Sequence, residues 1–240
     1  MQFLVFQLQA PLASWGDTAV GEYRGSRDHP GESALLGLLG AALGLRRDDE
    51  AAQAALRDGC AFAVGVVAGG SLLRDYHTAQ VPGRTALKGR PHATRRDELA
   101  VPKEALNTIL STRDYRQDVD YVIAVQPTPA ATTPPPLAVL ADALRRPRFV
   151  LYLGRKSCPP AAPLDPKVLD AASVREAIDA YLAAAPHRRR RLVRLAWGDR
   201  IDAPGAQAHL SAPRKDRLIR RRGWQFGDRT EHVALLAEGE

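Results

Sequence analysis

Cysteine is nearly absent: the 240 residues hold two, Cys60 and Cys158. Two thiols exclude a disulfide framework and a cysteine-based zinc site, both of which need more ligands at short spacings. A reducing, cytoplasmic setting suits that composition. Long apolar runs are also missing. No stretch approaches the roughly 20 residues that span a bilayer, so no membrane association is expected. The opening MQFLVFQLQAPL has neither a basic n-region nor a small-residue cleavage site, so no signal peptide is expected either. The six histidines are scattered, with no H-E-x-x-H or other paired-ligand spacing, and no metal or cofactor is expected. The G-x-x-x-x-G-K-[ST] spacing of an ATP loop is absent, and so is any repeat of solenoid period.

Acidic residues are outnumbered. Lys plus Arg is 34 and Asp plus Glu is 27, a net charge of +7. The excess is mostly arginine, whose planar fork suits phosphates and base edges. With 45% hydrophobic and 25% charged residues, the chain has apolar material for one large domain, or for a domain with a smaller appendage.

Gln2 to Gln9 reads as a strand that Pro11 ends. A long loop over 10–32 follows, a length that usually marks a functional or mobile segment. Ser33 is the expected N-cap of a helix over SALLGLLGAALGL, whose Gly37, Gly40, Ala41 and Gly44 form a small-residue stripe suited to close packing. A second helix runs from Asp48 or Asp49 to Arg57. Cys60 to Ala68 is an apolar strand, Gly69-Gly70 a hairpin turn and Ser71 to Tyr76 the returning strand. Residues 77–107 are basic and poor in apolar side chains, and read as a protruding, flexible arm. Strands are expected at Asn107–Thr112, Asp120–Gln126 and Phe149–Leu153, with a Pro/Thr linker over 127–136 and a helix at Leu137–Arg145. Beyond Pro163 come a helix from Val174 to Ala185, HRRRR (187–191) leading into a strand near Leu192–Trp197, and the cationic segment 213–229. The tail after Val233 turns acidic. The order of elements predicts an α+β, ferredoxin-like βαββαβ fold.

Cations interleaved with aromatics recur at Trp15 with Arg24 and Arg27, across the arm, at Arg113 with Tyr115, and over 214–229. Single-stranded nucleic acid calls for this mixture, cations for phosphates and flat groups for bases. The segment LYLGRKSCPPAAPL (151–164) adds Gly154, Arg155, Lys156, Ser157 and Cys158 in a row. Two readings of it stand: an anion-binding loop, or a strand exit with solvated cations. His77, beside Tyr76, is the one candidate for acid–base chemistry; the other reading makes it structural. Cys158 next to Arg155 and Lys156 has the charge surroundings of a nucleophile but no identifiable base.

Six segments, APLASWG (10–16), SALLGLLGAALGLRRDD (33–49), RDYHTAQ (74–80), TRRDEL (94–99), ILSTRDYRQDVDYVIAV (109–125) and LYLGRKSCPPAAPL (151–164), together resemble the CasD family, the fifth-family subunits of type I-E CRISPR Cascade. They lie in family order and cover most of residues 1–165. The resemblance implies an RRM-like fold of the RAMP superfamily over 1–164, with a thumb insertion at about 77–112, and a smaller C-terminal α/β region over 165–240. It implies a non-catalytic subunit that binds CRISPR RNA by its 5′ handle and caps the backbone filament. The neighbours would be the backbone subunit CasC and the large subunit CasA, and target DNA would be met only through the guide. The alternative is a metal-independent endoribonuclease that processes precursor CRISPR RNA. The residues expected to meet RNA are Trp15, Arg24, Arg27, Ser33, His77, Arg84, Lys88, Arg90, Arg95, Arg96, Arg113, Tyr115, Gly154, Arg155, Lys156, Ser157 and Cys158. One departure stands out. The family carries a Pro-Thr-Arg-Ser-like run before the glycine-rich helix, and here Pro30-Gly31-Glu32-Ser33 puts a glutamate where a cation is expected. Ser33 and the first-turn N–H groups remain as anion donors.

Overall fold

The computed structural model describes residues 1–16, 19, 21–128, 135–184 and 190–236. In chain order, β1 (Gln2–Ala13) is followed by three two-residue strands, β2 (Trp15–Gly16), β3 (Tyr23–Arg24) and β4 (Ser26–Arg27), and by helices α1 (Glu32–Leu43) and α2 (Glu50–Gly59). Strands β5 (Cys60–Ala68) and β6 (Ser71–Pro82) lead to short helices α3 (Arg84–Leu87) and α4 (Arg95–Leu99) and a 3-10 turn at Lys103–Ala105. The chain returns through the long β7 (Leu106–Pro127), then α5 (Leu137–Arg145), β8 (Lys167–Asp170), α6 (Val174–Ala183), β9 (Arg194–Gly198) and the pair β10 (Leu210–Arg220) and β11 (Gln225–Leu235). One sheet runs β10-β11-β9-β5-β7-β1-β8, with β3 and β6 also paired to β7. All of its pairings are antiparallel except β3 with β7.

The continuous apolar run Phe3–Phe6 follows from burial on both faces of the sheet. Successive strand residues point to opposite sides. Leu4, Phe6 and Leu8 meet Leu35, Leu36 and Leu39 of α1 and Leu140 and Leu144 of α5. Phe3 and Val5 face the other layer, with Val174, Ile178 and Tyr181 of α6 and Trp197 of β9. No helix among the described residues is long and apolar enough to cross a membrane.

Several sequence expectations change. Pro11 does not end β1, which continues to Ala13. Pairing with β8 stops at Val5, so the proline lies beyond that strand, on a stretch of edge where its missing N–H costs no ladder bond. Gly69-Gly70 is not a hairpin turn. Strand β5 pairs with Pro127 to Asp120 and β6 with Gln117 to Leu106, so both lie along the same edge of β7. The glycines form a corner between them: Gly70 has φ +71°, and a Cβ there would sit 2.2 Å from the Gln117 carbonyl oxygen. The two strands expected at 107–112 and 120–126 are one, with Asp118 at φ 57° opposite that corner. Residues 77–107, expected as an arm without regular structure, form a mostly exposed two-stranded ribbon with short helices at its tip. Within Phe149–Leu153, Leu151 and Leu153 are buried on either side of exposed Tyr152, but Phe149 and Val150 are both exposed and the segment joins no ladder; the Phe149 N–H donates to the Ala41 carbonyl and the Leu153 N–H to the Cys158 carbonyl. The edge strand beside β1 is β8 instead. Of the expected linker, residues 129–134 lie outside the described residues, as do 187–189 of HRRRR and the acidic end, 237–240.

Ser33 is not the N-cap of α1. Gly31 is, and the Glu32 N–H donates to Asp216 Oδ2 at 3.0 Å. Asp216 belongs to a buried ionic network joining β10 and β11 to the N-terminal half. Arg214 Nη1 meets Glu231 at 2.8 Å and Nε meets Asp216 at 3.0 Å, while Arg229 Nη2 meets Glu231 at 2.7 Å. His29 bonds Asp28 at 2.7 Å and Glu231 at 3.1 Å. Burial opposes the charge of Glu231, yet His29, Arg214 and Arg229 hold its carboxyl well below the usual carboxylate range. The His29 hydrogen bond does the same for Asp28, helped by Arg194.

A carboxylate with a depressed folded pKa contributes stability that is present above its unfolded pKa, about 4, and lost as pH falls through the folded one, because the unfolded chain binds more protons in between. The thermal midpoint is therefore expected to fall as pH drops from about 5 towards 2. Glu231→Gln should flatten that dependence, and a Glu231→Gln profile parallel to wild type would count against the assignment.

Candidate nucleic-acid interface

The loop Gly154–Cys158 packs where β1 gives way to β2. Ser14 N–H donates to the Leu153 carbonyl at 3.0 Å, and Cys158 N–H closes a turn onto the Arg155 carbonyl at 2.9 Å. Gly154 has φ +88°, and a Cβ on it would lie 1.8 Å from the Ser14 carbonyl oxygen. Only glycine combines this left-handed backbone with so close an approach.

That anchoring aims Arg155 across the surface. Its guanidinium lies 4.6 Å from the centroid of the Tyr115 ring on β7, and Nη2 donates to the Arg24 carbonyl at 3.1 Å. Its Nη1 is buried, with no hydrogen-bond acceptor among the described residues. Strand β3 lies parallel to β7 with Tyr23 opposite Thr112 and Arg24 opposite Arg113, while β4 pairs Arg27 with Trp15 of β2. A second set of contacts fixes the same corner. Tyr23 Oη donates to Asp114 Oδ2 at 2.5 Å, Arg74 Nε donates to Asp114 Oδ1 at 2.9 Å, and Ser14 Oγ donates to the Asp114 carbonyl at 2.9 Å. The Arg74 hydrogen bond holds the nearly buried Asp114 carboxyl below its ordinary range despite its burial.

Three sequence-distant segments, 24–27, 113–115 and 154–157, thus meet on one face. Lys156 and Ser157 are exposed there and Arg155 is half-buried. Two expected members do not present themselves. Trp15 is 3% exposed; its indole N–H donates to Tyr121 Oη at 3.3 Å and its ring meets Tyr121 edge-on, so it is a core residue with no face for a base. Cys158 is fully buried, and burial raises its thiol pKa, which removes the conditions for a thiolate nucleophile. Burial likewise pushes the Cys60 thiol up to about 12. The anion site expected at the start of α1 is taken by Asp216, and Glu32 is buried 3.1 Å from Arg200, so position 32 serves the fold.

The ribbon cations are separate from this corner. Arg84 and Lys88 sit exposed at the α3 end and Arg96 on α4. Arg90 donates to the Ala100 carbonyl, and Arg95 pairs with Glu98 at 2.6 Å. His77, on β6 opposite Ser111, has Asp75 4.0 Å away, and both are about half exposed. Tyr23, Arg74 and Asp114 escaped the sequence reading. Their only signal was the alternation of charge and aromatics in strands, which shows no partner until the register is known.

The family model described as CRISPR-associated protein (Cas_Cas5) matches residues 3–230. The CRISPR system Cascade subunit CasD of Escherichia coli (strain K12) is 34% identical over 173 residues, which is 68% of this chain and 69% of the relative. A chain of a solved structure titled CRISPR RNA-guided surveillance complex superposes with a TM-score of 0.63 at 25% identity, covering 97% of this chain and 89% of that one. A second, titled Crystal structure of Cas protein, shares the fold with a TM-score of 0.61 at 24% identity, covering 98% of this chain and 94% of the other.

Proposed function

The chain belongs to the CRISPR-associated Cas5 protein family, and we propose that it is the non-catalytic CRISPR RNA-binding subunit of a type I-E Cascade complex, holding the 5′ handle and capping the backbone filament. The observation that carries this reading is the corner built by Arg155: a guanidinium stacked on Tyr115 and tied to the Arg24 carbonyl, next in the chain to the exposed Lys156 and Ser157. A cationic, aromatic surface assembled from three segments suits the phosphates and unstacked bases of a single strand. The antiparallel order β5-β7-β1-β8, with helices in both crossovers, supports the ferredoxin-like, RAMP-type reading. The β6–β7 ribbon and its tip serve as the thumb, and Arg84, Lys88, Arg90, Arg95 and Arg96 clamp the guide. CasC, CasA and a cytoplasmic setting complete the proposal, which takes them from the CasD relative.

The handle site is tested by titrating handle RNA and a scrambled RNA against wild type and Arg155→Ala/Lys156→Ala. The expected result is weaker handle binding, with a log–log salt slope shallower by about 1.4, at roughly 0.7 per lost phosphate contact. Unchanged affinity and slope would remove the loop from the interface. Repeat RNA incubated with wild type in EDTA should stay intact. Cleavage at one position that disappears in His77→Ala would establish the endoribonuclease reading instead.

A further inference from the structure

A groove of about 1730 Å³ lies between the Ser33–Ala41 face of α1, the loop 149–154 and the turn joining β10 to β11. Its charges are unbalanced. The carboxylates along it are engaged: Asp48 with Arg46 at 3.6 Å, Glu50 with Arg220 at 3.2 Å, and Asp216 with Arg214 at 3.0 Å. Four other lining cations, Arg47, Lys215, Arg221 and Arg222, have no carboxylate within salt-bridge distance among the described residues. Two of them converge on one ring: Arg47 lies 4.7 Å and Arg221 5.5 Å from the Trp224 centroid. Arg221 also donates to the Ser33 carbonyl at 3.1 Å, beside Gly37, where a Cβ would stand 3.0 Å from its Nη2.

Trp224 is 51% exposed and has φ 52°. A bulky residue in the left-handed region is strained and is held there by its surroundings. Here it keeps two like-charged guanidiniums together. Burial and the neighbouring Arg47 both disfavour the charge on Arg221, so an anion between them is favoured.

We propose that this groove is a second phosphate-binding wall, in which Arg47, Lys215, Arg221 and Arg222 take the backbone of the single-stranded RNA that continues from the Gly154–Ser157 loop. The proposal rests on the RNA-binding reading above. Gly154 and Arg27 line the same groove, so one strand leaving the loop enters it without a break. A nucleotide chain carries a charge at every residue, and so matches several cations in succession along an open groove.

The test titrates handle RNA against the full chain across a salt series, with Arg47→Ala/Arg222→Ala, Lys215→Ala/Arg221→Ala and, as reference, Arg155→Ala/Lys156→Ala. Each groove pair should lower the slope by about 1.4, at roughly 0.7 per lost contact. Arg47 and Arg222 are exposed, so that pair keeps the test valid if loss of the half-buried Arg221 unfolds the chain. Groove variants that bind with wild-type affinity and slope, while the loop variant weakens, overturn the proposal. So do groove variants that keep RNA but lose an associated protein, which would make the groove a protein-docking surface. Weakening in the groove variants with a silent loop variant would support the groove and refute the loop.

Discussion

Arg229→Ala is expected to lower stability by about 3–5 kcal/mol, the usual cost of removing one partner from a buried ion pair. The Arg229 side chain is 4% exposed and lies between Asp216 and Glu231, with Glu32 at 4.0 Å. Without it, carboxylates that are largely shielded from water crowd together with one cation fewer between them, and they must protonate or rearrange. At about 2–4 °C per kcal/mol for a chain of this size, the thermal midpoint should fall by on the order of 10 °C. Arg96→Ala, exposed on α4, should stay within about 0.5 kcal/mol of wild type. The deficit of Arg229→Ala should narrow in acid, where protonation of Glu231 removes part of the repulsion. A deficit below about 1 kcal/mol at neutral pH would mean that the network is solvated and contributes little.

That network also gives residue 32 a role that local sequence does not show. A glutamate where the family resemblance leads one to expect a cation puts a phosphate contact there in doubt, and says nothing of what the side chain does instead. In three dimensions it faces Arg200 and Arg229, which lie 168 and 197 residues away in the chain, and its N–H donates to Asp216. Charge clusters over 214–229 read in the same way as solvent- or RNA-facing, yet Arg214 and Arg229 are 6% exposed each. Cation and partner sit on different strands, and only the β10–β11 register brings them together. The positions that local pattern decides were legible. β5 and α5 have the ends expected of them, because an apolar run and a leucine stripe carry their own period. The shared edge of β7 was not, since a Gly-Gly pair between strands gives the same local signal whether the chain reverses or turns a corner along one partner.

At the interface, the residue types were legible and their exposure was not. Arg155 lies over the Tyr115 ring and donates to the Arg24 carbonyl, a cation–aromatic contact between distant segments. Trp15 carries the same signal and is buried, because Tyr121, more than a hundred residues away, takes its ring and its N–H.

Gly154→Ala should separate two contributions to this corner. Gly89 and Gly154 both have positive φ, +73° and +88°. A methyl group at Gly89 meets nothing within 4 Å, whereas at Gly154 it meets the Ser14 carbonyl oxygen at 1.8 Å. Gly89→Ala should therefore cost only the backbone strain, about 1–2 kcal/mol, with handle RNA affinity retained. Gly154→Ala cannot keep its contact with Ser14, so the Ser14–Leu153 hydrogen bond must open and the loop must move. Urea unfolding should show a loss clearly beyond that of Gly89→Ala. Handle affinity should fall at least as far as in Arg155→Ala/Lys156→Ala, because a shifted loop carries Arg155 off Tyr115 and away from Arg24. Equal stability losses at the two glycines would show that the loop tolerates displacement. Equal RNA affinities would show that its position against β1 does not set the interface.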